Sequence, residues 1–119
     1  MSERGVSEST QWALLVPALM LVMLGTIQAG LWLHGRNVAS QAASAAAEQV
    51  AWGRGTDADA AAMGRRIAEA GGLVGASVRV ERQTGAVRVV VTAQAPLIVD
   101  LGLGTVVEHA LMPMERTRP

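Results

Sequence analysis

The chain has 119 residues, no cysteine, and ten basic residues balanced by ten acidic ones, so its formal net charge is zero. This length allows at most one small domain beside a membrane segment, and the lack of cysteine excludes disulfides and thiolate metal sites. Zero net charge argues against a nucleic-acid partner, because such a partner requires a basic face.

An apolar run without a charged side chain occupies residues 12–33. As a helix it would reach about 33 Å, enough to cross a hydrocarbon core of about 30 Å. Its Leu, Ile and Val residues together favour insertion into the bilayer by about 4 kcal/mol. Pro17, Gln28 and the glycines make the free energy of insertion less favourable. Trp12 and Trp32 bracket the run, as aromatic residues at membrane interfaces do. We therefore predict a transmembrane helix.

Three kinds of membrane segment fit such a run, and a cleaved signal peptide fits worst. A signal peptide has a basic start, an apolar stretch of about 7–15 residues and a cleavage site of small residues. Here Arg4 is balanced by Glu3 and Glu8, the run is too long, and no A-x-A site follows it closely. A permanent anchor and a pilin-type segment, which begins in the membrane and ends in a fibre, remain.

Four side chains within the predicted span bear on helix packing. Pro17 removes one backbone hydrogen bond, which is tolerated in membrane helices where neighbours satisfy the freed carbonyl. Gly25 and Ala29 form a small-xxx-small pair that permits close helix approach. Gln28 either hydrogen-bonds a partner helix or is hydrated near the outer membrane–water interface, and the sequence leaves both interpretations open.

The alanine-rich residues 36–52 predict that this helix continues, giving one helix from about residue 9 to residue 52, capped by Ser9 or Thr10. Gly53-Arg54-Gly55 then predicts a hinge. The amphipathic stripe of the extension is predicted at Val38, Ala42, Ala45 and Gln49, with Trp52 close to it. Because this stripe is shallow, the extension is expected to lie on other parts of the chain.

A second, shorter helix is predicted to begin at Thr56 and to end at Gly71-Gly72. Asp57 and Asp59 fall in its first turn, where acids complement the helix dipole and one of them completes a capping box. These two acids are also conceivable metal ligands, but no third oxygen ligand follows at a regular spacing, so capping is favoured. Its apolar stripe is predicted at Ala60, Met63, Ile67 and Ala70.

From Ala76 the apolar period changes to two, which predicts a β-hairpin closed by a tight turn at residues 83–86. The register that follows pairs Val80 with Val89, Val78 with Val91 and Glu81 with Arg88. The last pair joins opposite charges across the strands, which stabilises a hairpin by about 0.2–1 kcal/mol.

A third strand is predicted over residues 105–114, because an isolated hairpin is only marginally stable. Pro113 marks that strand as an edge or its end. Residues 97–104 are expected to form a loop, and the polar tail 115–119 is expected to fray. The fold class is therefore α+β: a long N-terminal membrane-spanning helix continuing into an amphipathic helix, a second short helix and a small antiparallel sheet.

The predicted organisation has four parts. They are a short polar leader (1–11), a transmembrane helix (12–33), an amphipathic extension with a hinge (34–55) and a small extracytoplasmic α/β head (56–119).

We expect no catalytic, cofactor-binding or metal-binding residues. The two histidines are His34, at the membrane boundary, and His109, which follows Glu108 in a predicted strand where neighbours point to opposite faces. The sequence contains no nucleophile elbow, P-loop, dinucleotide fingerprint or metal-ligand pattern. A membrane-tethered enzyme that uses His109 is the weakest hypothesis.

The N-terminal part carries a family resemblance. A polar leader ends at Gly5, and residues 11–17, QWALLVP, open the membrane helix. This pattern resembles the TadE-like proteins of tight-adherence (Flp-type) pilus systems, in which a Glu-Phe-Ala-Leu-Val-x-Pro-like run follows a leader ending in Gly. The resemblance continues through residues 28–30, the alanine-rich helix and the valine strands to residues 110–115, ALMPME. It implies a pilin-like arrangement of the fold.

The resemblance also implies that a prepilin peptidase cleaves after Gly5 and leaves Val6 as the new N-terminus. It further implies a carboxylate about five residues into the mature chain, which in pilins pairs with a neighbour's amine within the membrane. The sequence departs here, because Thr10 is fifth after the cleavage site and Gln11 aligns with the usual Glu. Glu8 is the nearest acid. A neutral Gln costs less free energy to place in lipid than a charged Glu does, but it forms no charged pair.

The resemblance therefore implies a minor pilin-like component of a tight-adherence pilus, single-pass in the cytoplasmic membrane, with its head outside and the chain either within the pilus or aiding its assembly. Its partners would be the membrane, other pilin-like subunits, pilus assembly proteins and the prepilin peptidase. The alternative is an uncleaved single-pass scaffold that recruits secretion or envelope partners. The candidate helix-assembly residues are Glu8, Gln11, Pro17, Gly25, Gln28 and Ala29.

Overall fold

A computed structural model describes residues 3–114. It contains α1 (Glu3–Ala51), α2 (Asp57–Ala70), β1 (Val74–Gln83), β2 (Ala86–Gln94) and β3 (Thr105–Pro113). The predicted α+β class is confirmed, while the expectation of a frayed tail at 115–119 lies outside the described residues. The chain divides into two compact units, Met1–Gly30 and Leu31–Pro119, and each is described by itself.

The start of α1 differs from the prediction. The helix already includes Glu3, so neither Ser9 nor Thr10 caps it. The Thr10 hydroxyl instead donates to the carbonyl of Val6, one turn earlier, at 2.9 Å. A threonine within a helix commonly forms this bond, since its hydroxyl reaches the carbonyl four residues back.

The predicted break after α1 is confirmed. The N–H of Gly53 donates to Val50 O and the N–H of Arg54 donates to Gln49 O, both at 3.0 Å. These are the two bonds of a Schellman motif, which requires a left-handed residue just past the helix end. Gly53 supplies it with a φ of +69°.

The part of α1 that lies in the second unit buries a broad stripe of small residues. It consists of Gly35, Val38, Ala39, Ala42, Ala43, Ala46, Ala47 and Val50. Their spacing of three and four residues defines one helical face. The predicted stripe was correct at Val38 and Ala42 but wrong at Ala45 and Gln49, which are half-buried, and at Trp52, which is 74% exposed.

The capping box predicted at α2 is confirmed. The Thr56 side chain accepts from Asp59 N at 3.1 Å, and Thr56 N donates to Asp59 Oδ2 at 3.0 Å. Two of the helix's otherwise unsatisfied N-terminal donors are thereby paired.

The buried face of α2 is rotated from the predicted one. Ala60, Gly64 and Ala68 are buried, whereas the predicted Ala70 is exposed. The predicted Met63 and Ile67 are half-buried. The rotation follows from a close approach to α1, because a Cβ on Gly64 would lie 3.4 Å from both Ala42 O and Ala46 Cβ.

The C-terminal end of α2 is fixed by backbone hydrogen bonds and by close packing on α1. Gly72 N donates to Glu69 O and Leu73 N donates to Ala68 O, a second Schellman motif, with Gly72 at a φ of +96°. Gly71 packs so tightly on α1 that an added Cβ would overlap the Val38 side chain. The predicted end at Gly71-Gly72 is therefore confirmed.

The three strands form an antiparallel sheet in the order β1-β2-β3. The predicted hairpin register is confirmed at Gln83–Ala86, Glu81–Arg88, Val80–Val89 and Val78–Val91. The predicted ion pair across the strands is not formed. Glu81 pairs instead with Arg79 of its own strand at 3.7 Å, and Arg88 Nε is buried without a hydrogen-bond partner.

The core of the second unit lies between this sheet and the helices. The largest fully buried side chains are Val87, Val89, Val91 and Val106. They belong to one face of the sheet because alternate residues of a strand point the same way. The predicted third strand is confirmed and supplies Val106 to this face.

Candidate helix-assembly site

The first unit exposes nearly all of its apolar side chains. Over the described residues, α1 is long and apolar enough to cross a membrane, and none of its most apolar 18-residue window is buried. A core helix of a soluble protein would have that surface covered by its own chain. An exposed apolar surface of this size is instead covered by lipid or by other helices.

The helix brings some of the predicted assembly residues together and separates others. At about 100° per residue, Gln11, Gly25 and Ala29 fall on one stripe. Pro17 and Gln28 fall together on a second stripe, about 100° around the helix. Of these five, Gln28 is half-buried and the others are exposed. Two neighbouring faces of α1 therefore carry the predicted features.

The first stripe permits close approach. A Cβ added at Gly25 would have no neighbour within 4 Å, and small residues of this kind let helix backbones come near one another. Thr26 satisfies its own hydroxyl by donating to Val22 O at 2.8 Å. This threonine therefore needs no partner to be accommodated in an apolar environment.

The residues predicted for cleavage lie in the first turns of α1. Gly5 and Val6 are helical and exposed, and so is Glu8, the nearest acid. A Cβ at Gly5 would also meet no atom within 4 Å. The processing site thus stays a prediction, on a segment whose side chains are accessible.

The acids of the second unit serve structure. Asp57 forms two hydrogen bonds with Arg82, at 2.7 and 3.1 Å, and this bonding lowers the pKa of the Asp57 carboxyl. Hydrogen bonds from the backbone and side chain of Thr56 lower the pKa of Asp59. Pairing with Arg82 and capping of α2 therefore account for Asp57 and Asp59 respectively.

The histidines have no catalytic setting among the described residues. Glu108 pairs with Arg36 at 2.7 Å on the helix side of the sheet, while His109 is exposed on the other side. His34 Nε2 lies 3.3 Å from Gly71 O. Within residues 3–114, no three side chains of His, Asp or Glu come together in a group that could hold a metal ion.

Sequence reasoning missed two surface features. Trp52 is exposed and lies under the Arg54 guanidinium, 5.9 Å from the ring centroid. The loop between β2 and β3 exposes several large apolar side chains, among them Leu101 and Leu103. The apolar composition of that loop is visible in the sequence, but the exposure of its side chains is not.

Residues 3–114 contain one unburied apolar helix and a small α/β unit, an arrangement typical of pilin-like, single-pass membrane proteins. The family model described as TadE-like protein matches residues 7–48. The resemblance to the TadE-like family is thus confirmed over that segment, which supports a role associated with tight-adherence pili. That family is structural rather than enzymatic. The match does not reach residues 110–115, where the resemblance stays an expectation.

No curated protein and no solved structure matches the chain.

Proposed function

We propose that this chain is a minor pilin-like component of a tight-adherence pilus assembly system. It acts by packing its apolar helix with other pilin-like helices, while its α/β unit lies outside the cytoplasmic membrane. The observation that carries the proposal is the unburied apolar surface of α1, within the segment that matches the TadE-like family.

Packing of this kind follows from the stripe formed by Gln11, Gly25 and Ala29. The two small residues allow a neighbouring helix to approach, so that dispersion contacts along the helices add up in lipid. Gln11 offers an uncharged amide where the family has a carboxylate. An amide can hydrogen-bond an equivalent amide on a second helix, which gives register without a buried charge.

Cleavage of the N-terminal leader tests the proposal that the chain is a pilin-like component. In the native host, mass spectrometry of the purified protein is expected to find Val6 at the mature N-terminus. A Gly5→Val variant, which alters the residue before the cut, is expected to keep its leader. A wild-type chain that still begins at residue 1 or 2 would reject the cleaved form.

The second candidate function is an uncleaved single-pass scaffold that recruits secretion or envelope partners. The specific observation in its favour is Gln11, which cannot form the charged pair expected of an assembling pilin. Shearing the cells separates the two functions. A pilus component is recovered with the sheared fibres, whereas a scaffold stays wholly in the membrane fraction.

Orientation is tested by protease treatment of intact spheroplasts. Both functions require digestion of residues 56–119 from outside, with the span protected. A head that stays protected until the membrane is permeabilised would contradict both of them.

A further inference from the structure

β3 runs alongside the second-unit part of α1 and in the same direction. Near its start, Val106 and Ala95 lie next to Gly35, within 3.0–3.5 Å of an added Cβ. Near its end, Met112 and Pro113 line one cavity with Ala51 and Trp52. The lengths agree, since the helix rises about 25 Å between its two contact points and the strand about 23 Å.

The segment that precedes β3 therefore lies at the end of the sheet nearest to Gly35. This segment, residues 96–103, is called the apolar loop here. Its base is closed by Ala95 N, which donates to Gly104 O at 2.8 Å. Gly104 is buried there, and a Cβ on it would lie only 2.8 Å from Ala95 O. The base and the half-buried Leu97 are thus held against the core, while residues 98–103 are exposed.

The apolar loop exposes four large apolar side chains that a water-facing turn would not favour, Ile98, Val99, Leu101 and Leu103. Leu101 is 72% exposed, Leu103 70% and Ile98 60%. The turn that presents them is ordered, because Gly102 N donates to Asp100 Oδ1 at 2.9 Å. Exposed apolar residues grouped in this way mark a surface that something covers.

The level of the loop along α1 indicates what covers it. The predicted span ends at Leu33, which is itself exposed, and Gly35 is only about 3 Å further along the helix. Trp32 and Arg36 form a cation–π contact of 5.1 Å at the same level, and Trp beside Arg is typical of a membrane interface. The apolar loop and the end of the span therefore occupy one layer.

We infer that the apolar loop rests in the interfacial layer of the lipid bilayer, with Ile98, Leu101 and Leu103 inserted at the headgroup–acyl boundary. This rests on the membrane placement of α1 in the proposed function. The loop would hold the α/β unit against the bilayer, as a second contact beside the helix itself. Insertion of apolar side chains to this depth is the mode used by interfacial segments.

The charges predict an apolar contact rather than an electrostatic one. Asp100 is the one ionisable residue within residues 96–103. An acid would be repelled by anionic headgroups, so the contact should not depend on them. Binding of the loop is therefore expected to be no stronger in anionic than in neutral bilayers, and salt should not weaken it.

The absence of cysteine makes a site-specific test straightforward. Three single-cysteine variants of the full chain, Leu101→Cys, Thr84→Cys and Leu21→Cys, are labelled with an environment-sensitive fluorophore. Each is reconstituted into phosphatidylcholine vesicles containing lipids that carry a quencher on the acyl chain. Position 84 lies in the β1–β2 turn at the far end of the sheet, and position 21 lies within the span, so they serve as matched controls.

The label at 101 is expected to shift to the blue and to lose most of its fluorescence to the quencher, as the label at 21 does. The label at 84 should stay water-exposed. In a variant labelled at Ile98→Cys, the added changes Leu101→Asp and Leu103→Asp are expected to abolish quenching.

Each contrary result has a distinct meaning. If the label at 21 is quenched and that at 101 is not, the loop inference is overturned while the membrane placement stands. If neither is quenched, both are overturned. Quenching that requires phosphatidylglycerol would contradict the apolar mode, and protection of position 101 only at high protein-to-lipid ratios would show that a second copy covers the loop instead.

Discussion

Thr56 is the N-cap of α2, and the first turn that follows it contains two acids, Asp57 and Asp59. Its hydroxyl accepts from Asp59 N, and its own N–H donates to the Asp59 carboxylate. Asp57 reaches outward to Arg82 of β1. This one turn therefore fixes the start of the helix and also ties it to the edge of the sheet.

Replacing Thr56 by Ala removes the side-chain acceptor. We expect the free energy of unfolding to fall by about 1 kcal/mol, since loss of an N-cap leaves a helix donor unpaired. Urea denaturation of the full chain in detergent would measure this. Thr84→Ala in the exposed hairpin turn is the matched control and should change stability by less than about 0.5 kcal/mol. Equal effects of the two changes would contradict the capping role.

The same acids predict a loss of stability in acid. Their carboxyl pKa values are lowered from 3.8 in the folded chain. A lowered pKa contributes stability that is fully present above the unfolded value and is lost as the pH falls through the folded value. The thermal midpoint is therefore expected to decline below about pH 4. Asp57→Asn should be less stable than wild type at pH 7 and should approach it at pH 3; a constant difference would argue against the pair with Arg82.

At the scale of elements, packing between α1 and α2 depends on the absence of side chains. Gly64 and Gly71 both face α1 at distances where a Cβ would meet an atom of that helix. Small residues at such positions let two helices approach more closely than the usual 8–10 Å.

Gly71→Ala tests this approach. The backbone of Gly71, with a φ of −82°, suits alanine, so any cost comes from overlap with Val38 rather than from conformation. We expect a loss of about 1–3 kcal/mol, as overpacking produces. In a Val38→Ala background, measured by the same urea denaturation, the added cost of Gly71→Ala should largely disappear. An unchanged cost in that background would show that Val38 is not its source.

The sheet offers a second contrast between its two faces. Val89 is fully buried at the centre of β2, whereas Val107 of β3 points to the other side and is 56% exposed. Val89→Ala is expected to cost about 2 kcal/mol, from lost burial and the cavity left behind. Val107→Ala should cost under about 0.5 kcal/mol. Thermal unfolding of both variants would check the difference, and a larger effect at Val107 would reverse the assignment of faces.

At the scale of the whole molecule, the apolar helix of the first unit is expected to hold the chain in the membrane. Leu21→Arg places a charge near the centre of the span, where it costs about 2.5–3.5 kcal/mol on insertion scales. That nearly cancels the gain expected from the apolar run. We expect alkaline carbonate to extract much of this variant from membranes while wild type stays in the pellet. Leu111→Arg, on the exposed face of the sheet, is the control and should remain in the pellet.

Local signals in the sequence predicted much of this fold. The capping box at Thr56 follows from four consecutive residues and the hairpin register from one tight turn and the alternation on either side of it, and both are confirmed. The buried face of α1 could not be predicted in the same way. Between residues 42 and 47 five of six residues are alanine, so composition does not distinguish one face from another, and contacts with α2 and the sheet decide which face is buried.

The exposed apolar surfaces of the two units were predicted in part. The apolar span is evident from its length alone, because few soluble structures bury such a run. The exposure of Leu101 was not predicted, although the loop that contains it was. The position of the loop's base next to Gly35 depends on β3 running alongside α1 in the same direction, and a strand's direction relative to a distant helix has no signature in neighbouring residues.

The valine and alanine core has a thermodynamic consequence. Alanine loses no rotamer freedom when it is buried, and valine, branched at Cβ, has few χ1 states to lose. A unit this small hides little apolar surface from water, yet it also gives up little side-chain entropy on folding. Its ordered state can therefore persist without a fully buried aromatic side chain, although the half-buried Trp32 packs against the edge of the core.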